Sequence, residues 1–251
     1  MSLPLITDWF FYAVSIPAVI LLGISKSSFG AGFGSLAVPM MALAITVPDA
    51  AAILMPILFI MDVMGLAVFR KQFDRSQLKL LIPAGLLGTA IGTLLFKALD
   101  AQMVAGIVGV CTLLFLAQRL LFPPHAASRP PPRWLGGVLG TVSGFTSFVA
   151  HSGGPPLNAY MIPLRMQPIT FAATASIFFF VMNLAKWVPY AWLGLLDVRN
   201  MSTSLALIPF APLGVFIGVR LSKNLNPKVF YRLVLAGMLL TGLKLVYDGF
   251  F

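Results

Sequence analysis

Four ionisable side chains sit where an apolar chain has least reason to keep a charge. Lys26 lies in "SKSSFGAGFG", Asp62 ends "FIMD", His151 opens "HSGGPP" and Lys186 falls inside "FFFVMNLAKWVPYAW". A lysine ammonium and an imidazole N–H are donors, so the chemistry on offer is the holding of an anion. An intramembrane lysine is costly to keep and marks a functional position by default. For Lys186, snorkelling along a long helix or pairing with Asp62 are the structural alternatives. Asp62 has Asn183 as its counterpart in a similar stretch, "FVMN". The acid could carry a proton, orient Lys186 or form a structural salt bridge with it. His151 could titrate near neutral pH or donate to an anion.

The remaining inventory is thin for catalysis. Cys111 is the only cysteine, the histidines are His125 and His151, and all seven acids are aspartates. No Walker-type GxxxxGK[ST] run is present. Intramolecular disulfides and cysteine metal clusters are excluded. No catalytic constellation, metal site or cofactor is expected, and the chain reads as something other than an enzyme.

Two glycine-rich patches surround the candidate donors. The first holds Lys26, Ser27, Ser28, Gly30, Gly32 and Gly34; the second holds His151, Ser152, Gly153 and Gly154, with Asn158 one to two turns later. Such sequences make poor helix. Irregular backbone at membrane depth is tolerated only where protein or a polar cavity satisfies it. A break there would aim backbone N–H groups, serine hydroxyls and the positive end of the following helix at an anion. The plainer alternative is that the glycines only let helices pack closely. Lys26 is near the midplane if its segment is re-entrant and in a cytoplasmic loop if it spans.

The elements that must position these residues are apolar blocks. Of 251 residues, 59% are hydrophobic and 10% charged, with mean hydropathy +0.95. A soluble domain could not cover its surface with so little polarity. Ten blocks stand out, near 9–25, 29–47, 49–69, 78–96, 101–122, 134–150, 152–164, 168–196, 202–222 and 228–247. Most have the length that crosses a hydrocarbon core of about 30 Å. The expected fold is an all-α polytopic membrane protein. The first block lacks a basic leading region and is not expected to be a cleaved signal. "FPPHAASRPPPR" divides the chain into an N-terminal repeat (1–122), a Pro-rich linker (123–133) and a C-terminal repeat (134–251). Alternate connections place 13 lysines and arginines on one side; the other four are Lys97, Arg199 and Lys244, with Lys186 lying inside a block. The richer side, with the linker, is expected in the cytoplasm, and both termini outside. The net charge of +10 fits basic loops facing anionic lipid rather than nucleic acid.

The halves resemble each other. "PAGLLGTAIGTLLFKAL" (83–99) and "PFAPLGVFIGVRLSKNL" (209–225) share Pro83/Pro209, Gly88/Gly214, Gly92/Gly218 and Lys97/Lys223 among others. Five blocks per half is an odd number, so the second half would enter from the opposite face. That is the inverted-repeat plan of many secondary transporters, with the site at broken segments near the midplane.

"SSFGAGFGSLAVP" with "VPDAAA", "SGGPPLNAYMIP" and "VMNLAKWVPYAWLGLLD" together resemble the TauE/SafE sulfite exporter family over nearly the whole chain. The first half has spaced glycines where the commoner family pattern has a contiguous triplet. The resemblance implies a multi-pass bacterial inner-membrane permease exporting sulfite, organosulfonates or related anions. An anion channel and a permease for another small carboxylate or anion are the alternatives.

Overall fold

A computed structural model describes residues 5–27, 33–69, 72–121, 130–224 and 227–251. The described residues form helices and no strand. The first half runs α1 (Trp9–Ser27), a 3-10 turn (Phe33–Leu36), α2 (Ala37–Met41), α3 (Val47–Phe69), α4 (Arg75–Ala98) and α5 (Ala101–Leu121). The second runs α6 (Arg133–Ala150), α7 (Gly154–Met161), a 3-10 turn (Ile162–Leu164), α8 (Pro168–Trp192), α9 (Val198–Leu207), α10 (Phe210–Asn224) and α11 (Pro227–Phe250). Six stretches are long and apolar enough to cross a membrane: α1, α3, α4, α5, α8 and Val198–Ile217.

Local chemistry sets several boundaries. Asp74 caps α4 by accepting from the N–H groups of Ser76 (2.8 Å) and Gln77 (3.1 Å). Asp197 caps α9 through Asn200 N–H at 2.7 Å. Such caps satisfy donors the helix leaves orphaned. Pro168 opens α8 at a position where its missing N–H costs nothing.

Two predicted blocks shrink. Among the described residues, block 29–47 yields a 3-10 turn and the five-residue α2 before α3 begins, and block 152–164 yields the eight-residue α7 and a turn. At about 1.5 Å per residue neither helix can cross a bilayer. Prolines explain much of α7: Pro155 and Pro156 start it, Pro163 follows, and Arg165 turns away in the left-handed region at φ 53°. Block 202–222 also departs from expectation, dividing at Ile208–Pro209 into α9 and α10. Its counterpart α4 runs unbroken through Pro83. The second half has Pro212 as well as Pro209, so two ladder donors three positions apart are missing rather than one.

Helix α3 lies at the centre. Its Ile53, Leu54, Ile57, Leu58 and Met61 share a core with Phe11, Val19 and Leu22 of α1 and with Phe148 and Val149 of α6. Helix α8 packs on α3, α6 on α4, α10 on α1, and α11 on α5. Two of these interfaces depend on glycine. A Cβ on Gly88 would strike the Thr141 carbonyl of α6, and one on Gly214 would strike the Ile20 carbonyl of α1. Close packing is therefore the role of these two glycines.

Candidate functional site

The site is built where α3 crosses α8. Phe59 stacks on Phe180, ring centroids 5.8 Å apart. One turn further on, Asp62 accepts a hydrogen bond from the Asn183 side-chain amide. Each residue thus meets its own counterpart from the other half.

Lys26, at the end of α1, forms an ion pair with Asp62. The Lys26 side chain is partly exposed and the Asp62 side chain is 2% exposed. Asn183 holds Asp62 with its amide nitrogen and accepts from Lys186 Nζ at 2.8 Å with its amide oxygen. The two residues are three apart on α8, so they share a face.

Lys186 is fully buried. Besides Asn183, it reaches the Ser147 carbonyl (2.6 Å), Ser147 Oγ (2.7 Å) and His151 Nδ1 (3.2 Å). An ammonium carries three protons, so four acceptors share them. Burying an ammonium costs several kcal/mol unless its protons are satisfied, and here four groups on α6 and α8 do that. Among the described residues no carboxylate lies within ion-pair distance of Lys186. Of the alternatives for Asp62, the direct pair with Lys186 is not the one formed: the partner of Asp62 is Lys26, and Lys186 is reached through Asn183.

His151 completes the chain of contacts. It ends α6 in the left-handed region at φ 51°, a conformation that costs a non-glycine residue about 1–2 kcal/mol. Its Nε2 lies 2.8 Å from the Ala51 carbonyl. A carbonyl only accepts, so Nε2 carries the proton and Nδ1 is left to accept from Lys186. Pro56 supplies no N–H to the Ala52 carbonyl, which loosens α3 in the turn where Ala51 receives the imidazole. Tyr190 lines the same wall, donating to the Phe148 carbonyl at 2.7 Å.

The two glycine-rich breaks touch. Ser152 Oγ lies 3.3 Å from the Ser35 carbonyl and 3.1 Å from the Ala150 carbonyl, which share its single proton. Gly34 N–H donates to Ser25 Oγ at 3.0 Å. Ser143 Oγ donates to the Gly153 carbonyl at 2.6 Å, and a Cβ on Gly153 would meet the Ser143 carbonyl at 2.7 Å. Asn158 is buried on α7, and Gly154 begins that helix. With prolines at the next two positions, the first turn of α7 offers fewer amide donors than an ordinary helix start. Ser28, Gly30 and Gly32 lie outside the described residues, as does the side chain of Ser27, which closes α1.

Lys26, Asp62, Asn183, Lys186 and His151 are therefore linked, with two cationic lysines, one carboxylate and a neutral imidazole. With both lysines protonated, Asp62 ionised and His151 neutral, the set would carry one positive charge, partly exposed at Lys26 and buried at Lys186, and a charge acts more strongly where burial lowers the dielectric. Such a network can take up one monoanion. Among the described residues no group of three or more metal-ligating side chains occurs. Sequence reasoning missed Ser147, which gives Lys186 two of its acceptors. The signal was present: Ser147 lies four residues before His151, on the same face of α6.

No curated protein and no solved structure matches the chain. A family model described as "Sulfite exporter TauE/SafE" matches residues 15–245. An all-helical chain with several membrane-crossing stretches, matched over nearly its whole length, belongs to the TauE/SafE sulfite exporter family of membrane transporters.

Proposed function

We propose that the chain is a secondary carrier that exports a small oxyanion, sulfite or an organosulfonate, across the bacterial inner membrane. The observation that carries this reading is the linked set Lys26–Asp62–Asn183–Lys186–His151. It holds one surplus positive charge and runs between the two glycine-rich breaks. The anion binds where these breaks meet, with Lys26 or Lys186 supplying charge and Ser152, Asn158 and the backbone of Gly34, Gly153 and Gly154 nearby. The set of donors extends to Ser27, Ser28, Gly30 and Gly32 in the first break.

Alternating access follows from two repeats, 1–122 and 134–251, inserted in opposite senses with 123–133 as a cytoplasmic linker. Contacts that exchange between the halves support the inversion. Gly88 of α4 abuts Thr141 of α6, and Gly214 of α10 abuts Ile20 of α1; Gly144 abuts Gly85, and Gly23 abuts Ala211. Each contact has a partner in which the halves trade roles. Rocking one set of helices against the other would open the breaks to opposite faces in turn. A potential negative inside drives the anion outward, by about 2.3 kcal/mol per charge per 100 mV.

Purified protein in liposomes tests this. Sulfite, sulfoacetate, taurine, sulfate, acetate and chloride are offered in turn. A carrier gives saturable flux and counterflow with at least one sulfur oxyanion. Flux that rises linearly with concentration and shows no counterflow would make the protein a channel.

A further inference from the structure

We infer that Asp62 is an internal stand-in for the transported anion: it neutralises Lys26 whenever the site is empty, so the unloaded carrier can return and the protein works as a uniporter rather than an obligate exchanger. The inference rests on the carrier reading above and adds the step that closes its cycle.

The geometry supplies three reasons. Lys26 is the exposed member of the pair, while Asp62 lies behind it with 2% exposure. An anion arriving from water therefore meets the ammonium before the carboxylate. Secondly, Asp62 is held from behind. Its Oδ1 takes Lys26, whereas its Oδ2 accepts from Asn183 Nδ2. When an anion draws Lys26 away, the carboxylate keeps a donor and stays within reach of the Lys186 charge through Asn183. Thirdly, the two lysines differ. Lys186 is enclosed by four acceptors that do not depend on Lys26 or on any anion. Lys26 has Asp62 as its charged partner. Lys26 is thus the cation whose neutralisation must alternate, with Asp62 serving the empty state and the substrate the loaded one.

A charge left without its partner in a low-dielectric interior is strongly penalised. Without Asp62, the empty carrier would have to move Lys26 uncompensated, and only the anion-loaded form would reorient. Such a protein still exchanges anion for anion and no longer carries out net transport. No bond is made or broken in this cycle; Lys26 changes partners between two oxyanions, and the proton count stays constant.

The test compares net sulfite efflux with sulfite–sulfite exchange in liposomes. Asp62→Asn should raise the ratio of exchange to net efflux by about 100-fold, the scale set by an uncompensated buried charge. Asp62→Glu, which keeps the charge, should hold the ratio near that of the unaltered protein. A ratio unchanged in Asp62→Asn, or loss of exchange together with net efflux in folded protein, overturns the inference. Should Asp62→Asn fail to fold, Lys26→Gln carries the test. Sulfite affinity must then fall at least about tenfold, and an unchanged affinity means the anion does not replace Asp62 on Lys26. If the unaltered protein shows no counterflow at all, it is the carrier reading that fails, not this step within it.

Discussion

Phe59 and Phe180 hold equivalent places in the two similar stretches "FIMD" and "FVMN", and their rings stack with centroids 5.8 Å apart. The two similar stretches therefore meet each other directly where α3 packs on α8. Asp62 and Asn183, three positions later, touch in the same way. The pair is chemically unequal: one side is a carboxylate, the other a neutral amide. The amide has an oxygen to offer Lys186 as well as an N–H to offer Asp62, so it joins two charges that a second aspartate would have treated differently.

Removing Lys186 should abolish the response to anions. Lys186→Ala leaves Asn183, Ser147 and His151 as acceptors without their shared donor. It also deletes the charge that makes the network positive. The thermal shift produced by sulfite in detergent should disappear. A shift that persists would mean that Lys26 takes the anion without needing the Lys186 charge behind Asp62 and Asn183. Lys186→Arg should not rescue, because a planar guanidinium does not fit a compact set of acceptors. It should lower stability by about 1–3 kcal/mol through overpacking.

His151 is constrained by its backbone as much as by its ring. Asparagine tolerates the left-handed region better than alanine, so His151→Asn should be more stable than His151→Ala by about 1 kcal/mol. Both lose the bond to the Ala51 carbonyl, and both should melt below the unaltered protein. His151→Gly relieves the backbone but leaves the Ala51 carbonyl without the imidazole donor and Lys186 without one acceptor. Relative melting temperatures of the three proteins in one detergent make the comparison. Equal values for alanine and asparagine would mean that the backbone conformation is not held there.

The patterns of residue type made the segments legible before the contacts were known. Blocks at α1, α3, α4, α5, α6 and α8 agree with the helices to within a few residues because long apolar runs have few alternatives. The shortness of α2 and α7 was less legible, since glycines and prolines show that a helix is interrupted but not how much remains. The break between α9 and α10 needed two prolines to be weighed together. At the site, the ionisable residues stood out by cost alone. Their pairing did not, because Lys26 and Asp62 are 36 positions apart and His151 and Ala51 are 100 apart. Only the crossing of α3 and α8 and the return of α6 bring them together.

Glycines at the helix crossings should respond in matched pairs. A Cβ on Gly23 would meet the Ala211 carbonyl at 2.7 Å, and one on Gly144 would meet the Gly85 backbone. Gly23→Ala and Gly144→Ala should each lose roughly 1–3 kcal/mol, because backbone cannot move aside as a flexible side chain can. Gly137 has nothing within 4 Å of its Cβ position. Gly137→Ala should be neutral or stabilising by up to about 1 kcal/mol from helix propensity. If Gly137→Ala were as damaging as Gly144→Ala, the helices would not be meeting where the structure sets them.

Orientation can be read from the two ends of α4. With Cys111→Ser removing the sole cysteine, Ser76→Cys and Gln102→Cys put one thiol near either end of the α4 span, both at exposed positions. Neither change alters the lysine and arginine count that sets sidedness. Arg75 and Lys79 flank the first position, so it should face the cytoplasm. A membrane-impermeant maleimide applied to intact cells should label the Gln102→Cys protein and spare the Ser76→Cys protein, and inside-out vesicles should reverse the pattern. Labelling of both from one face would mean that α4 does not span, and the opposed entry of the two repeats would fall with it.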